Sequence, residues 1–375
     1  MNVLIAPNAF KGTLSSARAA RLLTEEVRRI CPTCHCRILP LADGGDGTLD
    51  ALAGRPGFVR RWNPVKGPRG ERIRAPWLWD AAGRRAVVEM AAASGLALVP
   101  PRGRDPEHTT GFGTGELIDA ARRAGAREIW VGLGGTATVD GGAGMLQAMG
   151  LGLFRGGDKL ISPATGGDLE RLTRLDATGF QKLWRGVRFV LLTDVRHRLT
   201  GRHGAAPVFG PQKGATKTQV ARLARGLSRW AILLRRAGGR DPRSLDGGGA
   251  AGGAAAGLWS LARARVVPGA RWLARRAGLG NSVKWADRVI SGEGRVGRTT
   301  FEGKAVGELL RMVRRENGRA LVVTGGVDPA ARQRVKRSGA RVLTLGRVPR
   351  TPGEAERVLA RTVRAAFREE EDLFL

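Results

Sequence analysis

The chain has 375 residues, enough for two domains with a sizeable core in each, and its 42% hydrophobic content is that of an ordinary globular protein. No apolar run approaches the roughly 20 residues that cross a bilayer, and Val3-Leu4-Ile5-Ala6 is too short for a secretory core, so a cytosolic protein is expected. The formal net charge is +31, but the arginines lie scattered over helical surfaces (Arg18, Arg21, Arg122, Arg123, Arg222, Arg229) without interleaved aromatics, which argues against a dedicated nucleic-acid or membrane partner.

Val3–Pro7 reads as a buried first strand, followed by the polar loop Asn8–Ser15 and a helix to about Ile30 capped by Ser15 or Ser16, with Ala19, Leu22, Leu23, Val27 and Ile30 on its apolar face. All three cysteines fall in Cys31-Pro32-Thr33-Cys34-His35-Cys36; with no second cluster, this reads as a connector rather than a metal site. A second strand is expected over 37–41, then Asp43-Gly44-Gly45-Asp46-Gly47-Thr48 leading into a helix. That alternation argues for a parallel sheet, whose ligands bind at the carboxyl ends of the strands. The rhythm then changes: a turn at 65–70 lies between extended segments, and 73–79 with 85–90 reads as an antiparallel pair. A helix over 114–124 leads to the strand Glu128–Val131 and to Gly132-Leu133-Gly134-Gly135-Thr136-Ala137-Thr138-Val139-Asp140-Gly141-Gly142-Ala143-Gly144, which opens a further helix near Met145. A strand feeding a glycine turn into a helix suits an anion, since backbone N–H groups approach closely and the helix N-terminus adds partial positive charge. In that reading Thr136 and Thr138 donate to phosphate and Asp140 holds a divalent metal; the competing reading makes Asp140 a helix cap.

Further on, 189–194 is a strand ending in Asp194, 219–237 a basic amphipathic helix, and 246–258 a glycine-rich turn entering a close-packed helix rather than a linker. Strands at 288–291, 319–326 and 341–346 precede a final helix. The fold class expected is α/β: a Rossmann-like or flavodoxin-like three-layer parallel-sheet domain (1–65 plus 285–375) with a second α/β domain (66–284) inserted in the chain.

Polar clusters recur at strand ends and glycine turns: Asn8 with Lys11, Asp43 with Asp46, Thr136 with Thr138 and Asp140, Asp194 with Lys213, and Glu293 with Arg295 and Lys304. Carboxylates for a metal, cations for phosphate and a carboxylate to orient a hydroxyl are the requirements of phosphoryl transfer. Gly303-Lys304 lacks the spacing of a Walker loop, and no Gly-x-Ser-x-Gly elbow points to a hydrolase. The four histidines read as ordinary polar residues.

Taken together, these blocks resemble the bacterial type I glycerate kinases. Ala6-Pro7-Asn8-Ala9-Phe10-Lys11-Gly12 is similar to the family's opening motif, and 43–48 to its acidic glycine loop. Glu89–Leu96, Gly113–Ile118, the central glycine stretch, Phe209–Ala215 and 292–295 with 303–304 follow in the family's order. The resemblance implies a two-domain α/β fold and transfer of the ATP γ-phosphoryl group to D-glycerate in a cleft between the domains, with Mg2+ and a 2-phosphoglycerate product. Onto it are carried Asp194, Lys11, Glu293 and Arg295 as catalytic residues. Asn8, Gly44, Gly45, Gly134, Gly135, Thr136, Thr138, Lys213 and Lys304 are carried as substrate or phosphate ligands, and Asp43, Asp46 and Asp140 as metal ligands. The chain departs from the family pattern at Asn8 (Asp), Ala9 (Ser), Val139 (Asn), His197-Arg198 (Asn-Pro), Gly297 (Asp) and Thr299 (Gln). Two other readings stay open: a kinase of another small hydroxy acid, and a weakly active or inactive nucleotide- or anion-binding descendant.

Overall fold

The computed structural model describes residues 1–10, 12–346 and 351–369, with side chains through 367. In chain order its strands are β1 Asn2–Ile5, β2 His35–Ile38, β3 Phe58–Lys66, β4 Arg72–Asp80, β5 Arg85–Glu89, β6 Glu128–Gly132, β7 Gly152–Arg155, β8 Asp158–Lys159, β9 Arg174–Asp176, β10 Arg188–Leu192, β11 Arg265–Val267, β12 Arg288–Val296, β13 Arg319–Val327 and β14 Ala340–Thr344. The chain forms two compact units: Met1–Asp43, Asp50–Gly54 and Pro268–Leu375, and Gly44–Leu49 with Arg55–Val267.

The first unit is built on a five-stranded sheet of order β14-β13-β12-β1-β2 in which every pairing is parallel. Such a sheet is covered on both faces, so its strands are apolar throughout rather than alternating. In β1, Val3 and Ile5 pack toward Leu23, Val27, Leu359 and Val363, whereas Leu4 pairs its face with Leu309, Leu310 and Val313. The result is three layers, as the terminal sequence rhythm implies. The helix Ser16–Ile30 begins at Ser15, whose hydroxyl accepts the Arg18 N–H at 3.2 Å. Its C-cap Cys31 is joined to Cys34 by a disulfide, so the cysteine connector is covalently closed while Cys36 remains a thiol. Burial raises the pKa of that thiol.

The second unit holds a six-stranded sheet of order β11-β10-β6-β5-β4-β3. Its β11, β10, β6 and β5 are mutually parallel, and β4 runs antiparallel to both β5 and β3. The antiparallel pair read at 73–79 and 85–90 is therefore β4 and β5. The strand before them, β3, pairs along its whole length with β4, which is why residues from 55 onward group with the second unit. Its alternation is masked in the sequence by Arg60, Arg61 and the half-exposed Trp62 on a sheet edge. A small antiparallel sheet, β8-β7-β9, had no sequence signature. Among the described residues no helix is long and apolar enough to cross a membrane.

Helix Ser16–Ile30 is tied to the last helix, Pro352–Glu369, by a side-on pair in which Arg364 Nε and Nη2 donate to the Glu26 carboxylate, both at 2.8 Å. Arg364 holds the Glu26 carboxyl below its ordinary value. A lowered folded pKa contributes stability that is fully present above the unfolded value near 4.5 and is lost as pH falls through the folded value. Arg364→Gln is accordingly expected to lower the urea midpoint at pH 7, and the difference from wild type should fade below pH 4.5.

Candidate functional site

In the second unit the parallel strands align Glu89 at the end of β5, Gly132 at the end of β6 and Leu192 at the end of β10. The residues that follow these three ends form the candidate site. Gly132–Asp140 leaves β6, with the Leu133 N–H donating to Leu192 O at 3.0 Å, and Asp194 stands two residues beyond Leu192, half-buried.

Two glycine loops meet here. A Cβ on Gly45 would lie 3.1 Å from Gly134 Cα, and one on Gly134 would lie 2.7 Å from Gly45 Cα, so neither position admits a side chain. Gly135 has φ of +62°, and a Cβ there would strike the Asp46 carboxylate. Gly45, Asp46, Gly134 and Gly135 are thus brought together, with Gly135 and Asp46 exposed. The loop at 44–49 is held by a residue the sequence reading left without a role: Glu89 accepts the Gly47 N–H at 3.2 Å and the Leu49 N–H at 3.0 Å. Its signal was available, since a carboxylate ending a buried strand is the same feature that singled out Asp194. The outer arm of the central loop is pinned by Leu96 N–H to Gly135 O (2.7 Å) and Ala137 N–H to Ser94 O (2.9 Å). Among the described residues the N–H groups of Gly134, Gly135 and Thr136 make no hydrogen bond.

The inner arm corrects several expectations. Asp140 is fully buried and accepts three backbone N–H groups, from Gly142 at 3.0 Å, Gly111 at 2.9 Å and Gly144 at 3.3 Å. Gly111 and Gly142 are the N-caps of helices Phe112–Arg123 and Ala143–Ala148. Asp140 is therefore the protein's own anion at two helix N-termini, not a metal ligand, and it fills the position at which the helix after the loop would otherwise receive phosphate. Burial raises its pKa against the pull of those N–H groups. Lys213 is likewise buried. Its Nζ donates to Thr138 O at 2.7 Å and Thr136 Oγ1 at 3.1 Å, so it braces the loop from beneath rather than meeting phosphate at the surface. The Thr136 and Thr138 hydroxyls face the same interior, which removes them as phosphate donors; Thr138 Oγ1 is buried without a partner. Val139 is fully buried in the core of the unit, so its departure from the family's Asn does not touch the exposed arm. The segment 246–258 behaves as a turn into the helix Ala254–Ala262, with the Gly141 N–H donating to Gly252 O at 2.9 Å.

The remaining predicted residues belong to the first unit, and Lys11 lies outside the described residues. Asp43 uses Oδ1 to accept the Ala305 N–H at 2.7 Å, capping the helix Ala305–Arg315, and Oδ2 to accept Asn8 Nδ2 at 3.3 Å. It serves as a cap, which disfavours it as a metal ligand. The same contact accounts for Asn8: an amide there donates to Asp43 where a second carboxylate would repel it. Glu293 accepts the Thr300 hydroxyl at 2.7 Å, Arg295 pairs with Asp328 at 2.7 Å, and Lys304 Nζ donates to Thr299 Oγ1 at 3.1 Å. Arg198 and Arg298, which lie at or beside departures from the family pattern, pair with Asp246 and Glu302. Among the described residues no three His, Cys, Asp or Glu side chains gather as a metal cage.

Two consequences are measurable. Asp140→Asn replaces one acceptor oxygen by a donor facing N–H groups, and should cost about 2–4 kcal/mol in denaturant unfolding. Burial lowers the Lys213 pKa from 10.5 to about 7, with the Asp140 charge pulling the other way. Below 7 both folded and unfolded states carry the proton and the burial penalty is complete; between about 7 and 10.5 only the unfolded state keeps it. The stability of wild type relative to Lys213→Met should therefore rise from pH 7 to pH 10, and a flat or falling difference would contradict the burial.

The model described as the glycerate kinase family matches residues 3–370. The chain is 41% identical to glycerate kinase of Bacillus subtilis strain 168 over 304 residues, covering 81% of this chain and 79% of that one. It is 38% identical to glycerate 2-kinase of Escherichia coli K12 over 304 residues, covering 81% and 80%. A crystal structure from Salmonella typhimurium LT2, provisionally designated glycerate kinase 2, superposes with a TM-score of 0.78 at 35% identity over 99% of this chain and 98% of that one.

Proposed function

The chain belongs to the glycerate kinase family, and from that premise we propose that it transfers the γ-phosphoryl group of ATP to the 2-hydroxyl of D-glycerate. The names glycerate 2-kinase and glycerate kinase 2 among the relatives support the 2-phospho product. The observation that carries the reading is the run of N–H groups at Gly134, Gly135 and Thr136, which make no hydrogen bond among the described residues and lie at the carboxyl end of β6, between two parallel neighbours. Consecutive unsatisfied backbone donors around a left-handed glycine form a concave anion site.

In this mechanism the acceptor hydroxyl attacks the γ-phosphorus, the bond to the β,γ-bridging oxygen breaks, and ADP leaves. The N–H groups of 134–136 hold the transferring oxygens, where positioning and charge stabilisation supply most of the rate. Asp194, at the neighbouring strand end, orients the hydroxyl and takes its proton. Glu89 keeps the 44–49 loop in register, which sets Asp46 over Gly135. Mg2+ needs only one or two protein carboxylates when nucleotide phosphates supply the rest. Asp46, exposed beside Gly135, fits that requirement, whereas the capping Asp43 and buried Asp140 do not. When bound, the ion neutralises phosphate charge.

A coupled ADP-release assay with D-glycerate, followed by phosphorus NMR of the product, tests the reading. Turnover to 2-phosphoglycerate is expected; turnover restricted to other hydroxy acids, or none, would overturn it. Asp194→Asn should lower kcat by about 100-fold or more with little change in affinity for D-glycerate.

A further inference from the structure

Arg104 follows the 3-10 turn Pro101–Gly103 in the second unit. Its Nε is shielded from solvent and has no hydrogen-bond partner, and no ion pair or hydrogen bond of its guanidinium exists among the described residues. That is unlike other arginines of this chain, which use one fixed edge. Arg18 donates through Nε and Nη2 to Glu356 at 2.7 and 2.8 Å, and Arg222 does the same to Glu107 at 2.7 and 2.8 Å.

The acids nearest Arg104 in sequence are engaged elsewhere. Glu107 is taken by Arg222 and by Gln219 Nε2, and Asp105 accepts Gln219 Nε2 at 3.0 Å and pairs with His108 at 2.8 Å. These bonds fix the backbone on the C-terminal side of Arg104. On another side it abuts Gly214, whose φ is +94° and whose absent Cβ would run into Arg104 O. Gly214 directly follows Lys213, the residue that braces Thr136 and Thr138. Arg104 is therefore anchored beside the support of the central loop, with a donor edge that no carboxylate among the described residues meets. Buried donors without partners are uncommon in folded proteins, and one is explained when a ligand supplies the acceptor.

We propose that Arg104 binds the carboxylate of the hydroxy-acid acceptor, donating to it side-on through Nε and Nη2. This rests on the kinase reading above and assigns the residue that makes the acceptor an acid. A planar carboxylate matches the guanidinium edge, as the Glu356 and Glu107 pairs in this same molecule illustrate. Lys213 cannot serve instead, because its ammonium is buried against Thr136 and Thr138. A nucleotide phosphate offers similar oxygens and is the competing occupant that the experiment must separate.

Wild type, Arg104→Gln and Arg104→Lys are compared by steady-state kinetics with D-glycerate and with ATP, and by thermal unfolding with and without D-glycerate or D-lactate. Losing the bidentate edge should raise KM for D-glycerate about 10- to 100-fold in both variants, with KM for ATP changed less than about threefold. Unliganded Tm should not fall by more than lost side-chain packing accounts for, because no hydrogen bond or ion pair among the described residues is lost. Unchanged KM for D-glycerate, a rise confined to ATP, or a fall in unliganded Tm beyond that packing loss would each overturn the assignment. If wild type does not turn over D-glycerate, the kinase reading fails, and unfolding alone decides Arg104. A hydroxy acid that raises Tm in wild type but not in Arg104→Gln supports the role, and equal shifts or no shift in wild type refute it.

Discussion

The second unit depends on one buried anion. Asp140 lies out of water and is stabilised by N–H groups from the start of two helices, which otherwise would end in unsatisfied donors. A carboxylate in that position serves both helices at once and sets the path of the chain between them. It also determines what the loop can bind. With the N-terminus of Ala143–Ala148 already occupied from inside, the loop N–H groups proposed for an external anion are those of Gly134, Gly135 and Thr136, which make no hydrogen bond among the described residues.

Close packing beneath the loop follows from the same constraint. Trp230 Nε1 donates to Gly141 O at 2.9 Å, and a Cβ on Gly142 would lie 2.9 Å from Ala254 Cα. The backbone reaches this contact through Ala251, Gly252 and Gly253, all in the left-handed region, with Ala251 the residue that bears a side-chain penalty there. The run of alanine and glycine over 246–258 is thus a requirement of backbone-to-backbone approach, where any larger side chain would push the helix Ala254–Ala262 away from Asp140's loop.

Much of this was legible in the sequence. The apolar runs at Val3–Ile5 and Ile129–Val131, each followed by polar or glycine residues, identified parallel strands. The glycines at 44–45 and 134–135 stood out as turns, but that they approach one another shows only in the structure. What sequence alone could not supply was direction. Thr136, Thr138 and Asp140 are polar residues in a glycine loop whether they face solvent or core, and their direction shows only in contacts distant in the chain, such as Lys213 Nζ with Thr136 and Thr138 and Trp230 with Gly141. Asp43 could equally ligate a metal or cap a helix, and only its contact with Ala305 distinguishes the two. Short strands such as Asp158–Lys159 carry too few residues to show a period.

On the proposed function the loop has two arms with separate duties: 134–136 binds the external anion, and 140–144 is closed around Asp140. Amide hydrogen exchange resolved to single residues, with and without a nonhydrolysable ATP analogue plus D-glycerate, tests it most directly. The account predicts fast exchange at Gly134 and Gly135 that slows on ligand addition, and slow exchange at Gly142 and Gly144 in both states. Ligand-induced protection at Gly142 and Gly144 with none at Gly134 and Gly135 would contradict it.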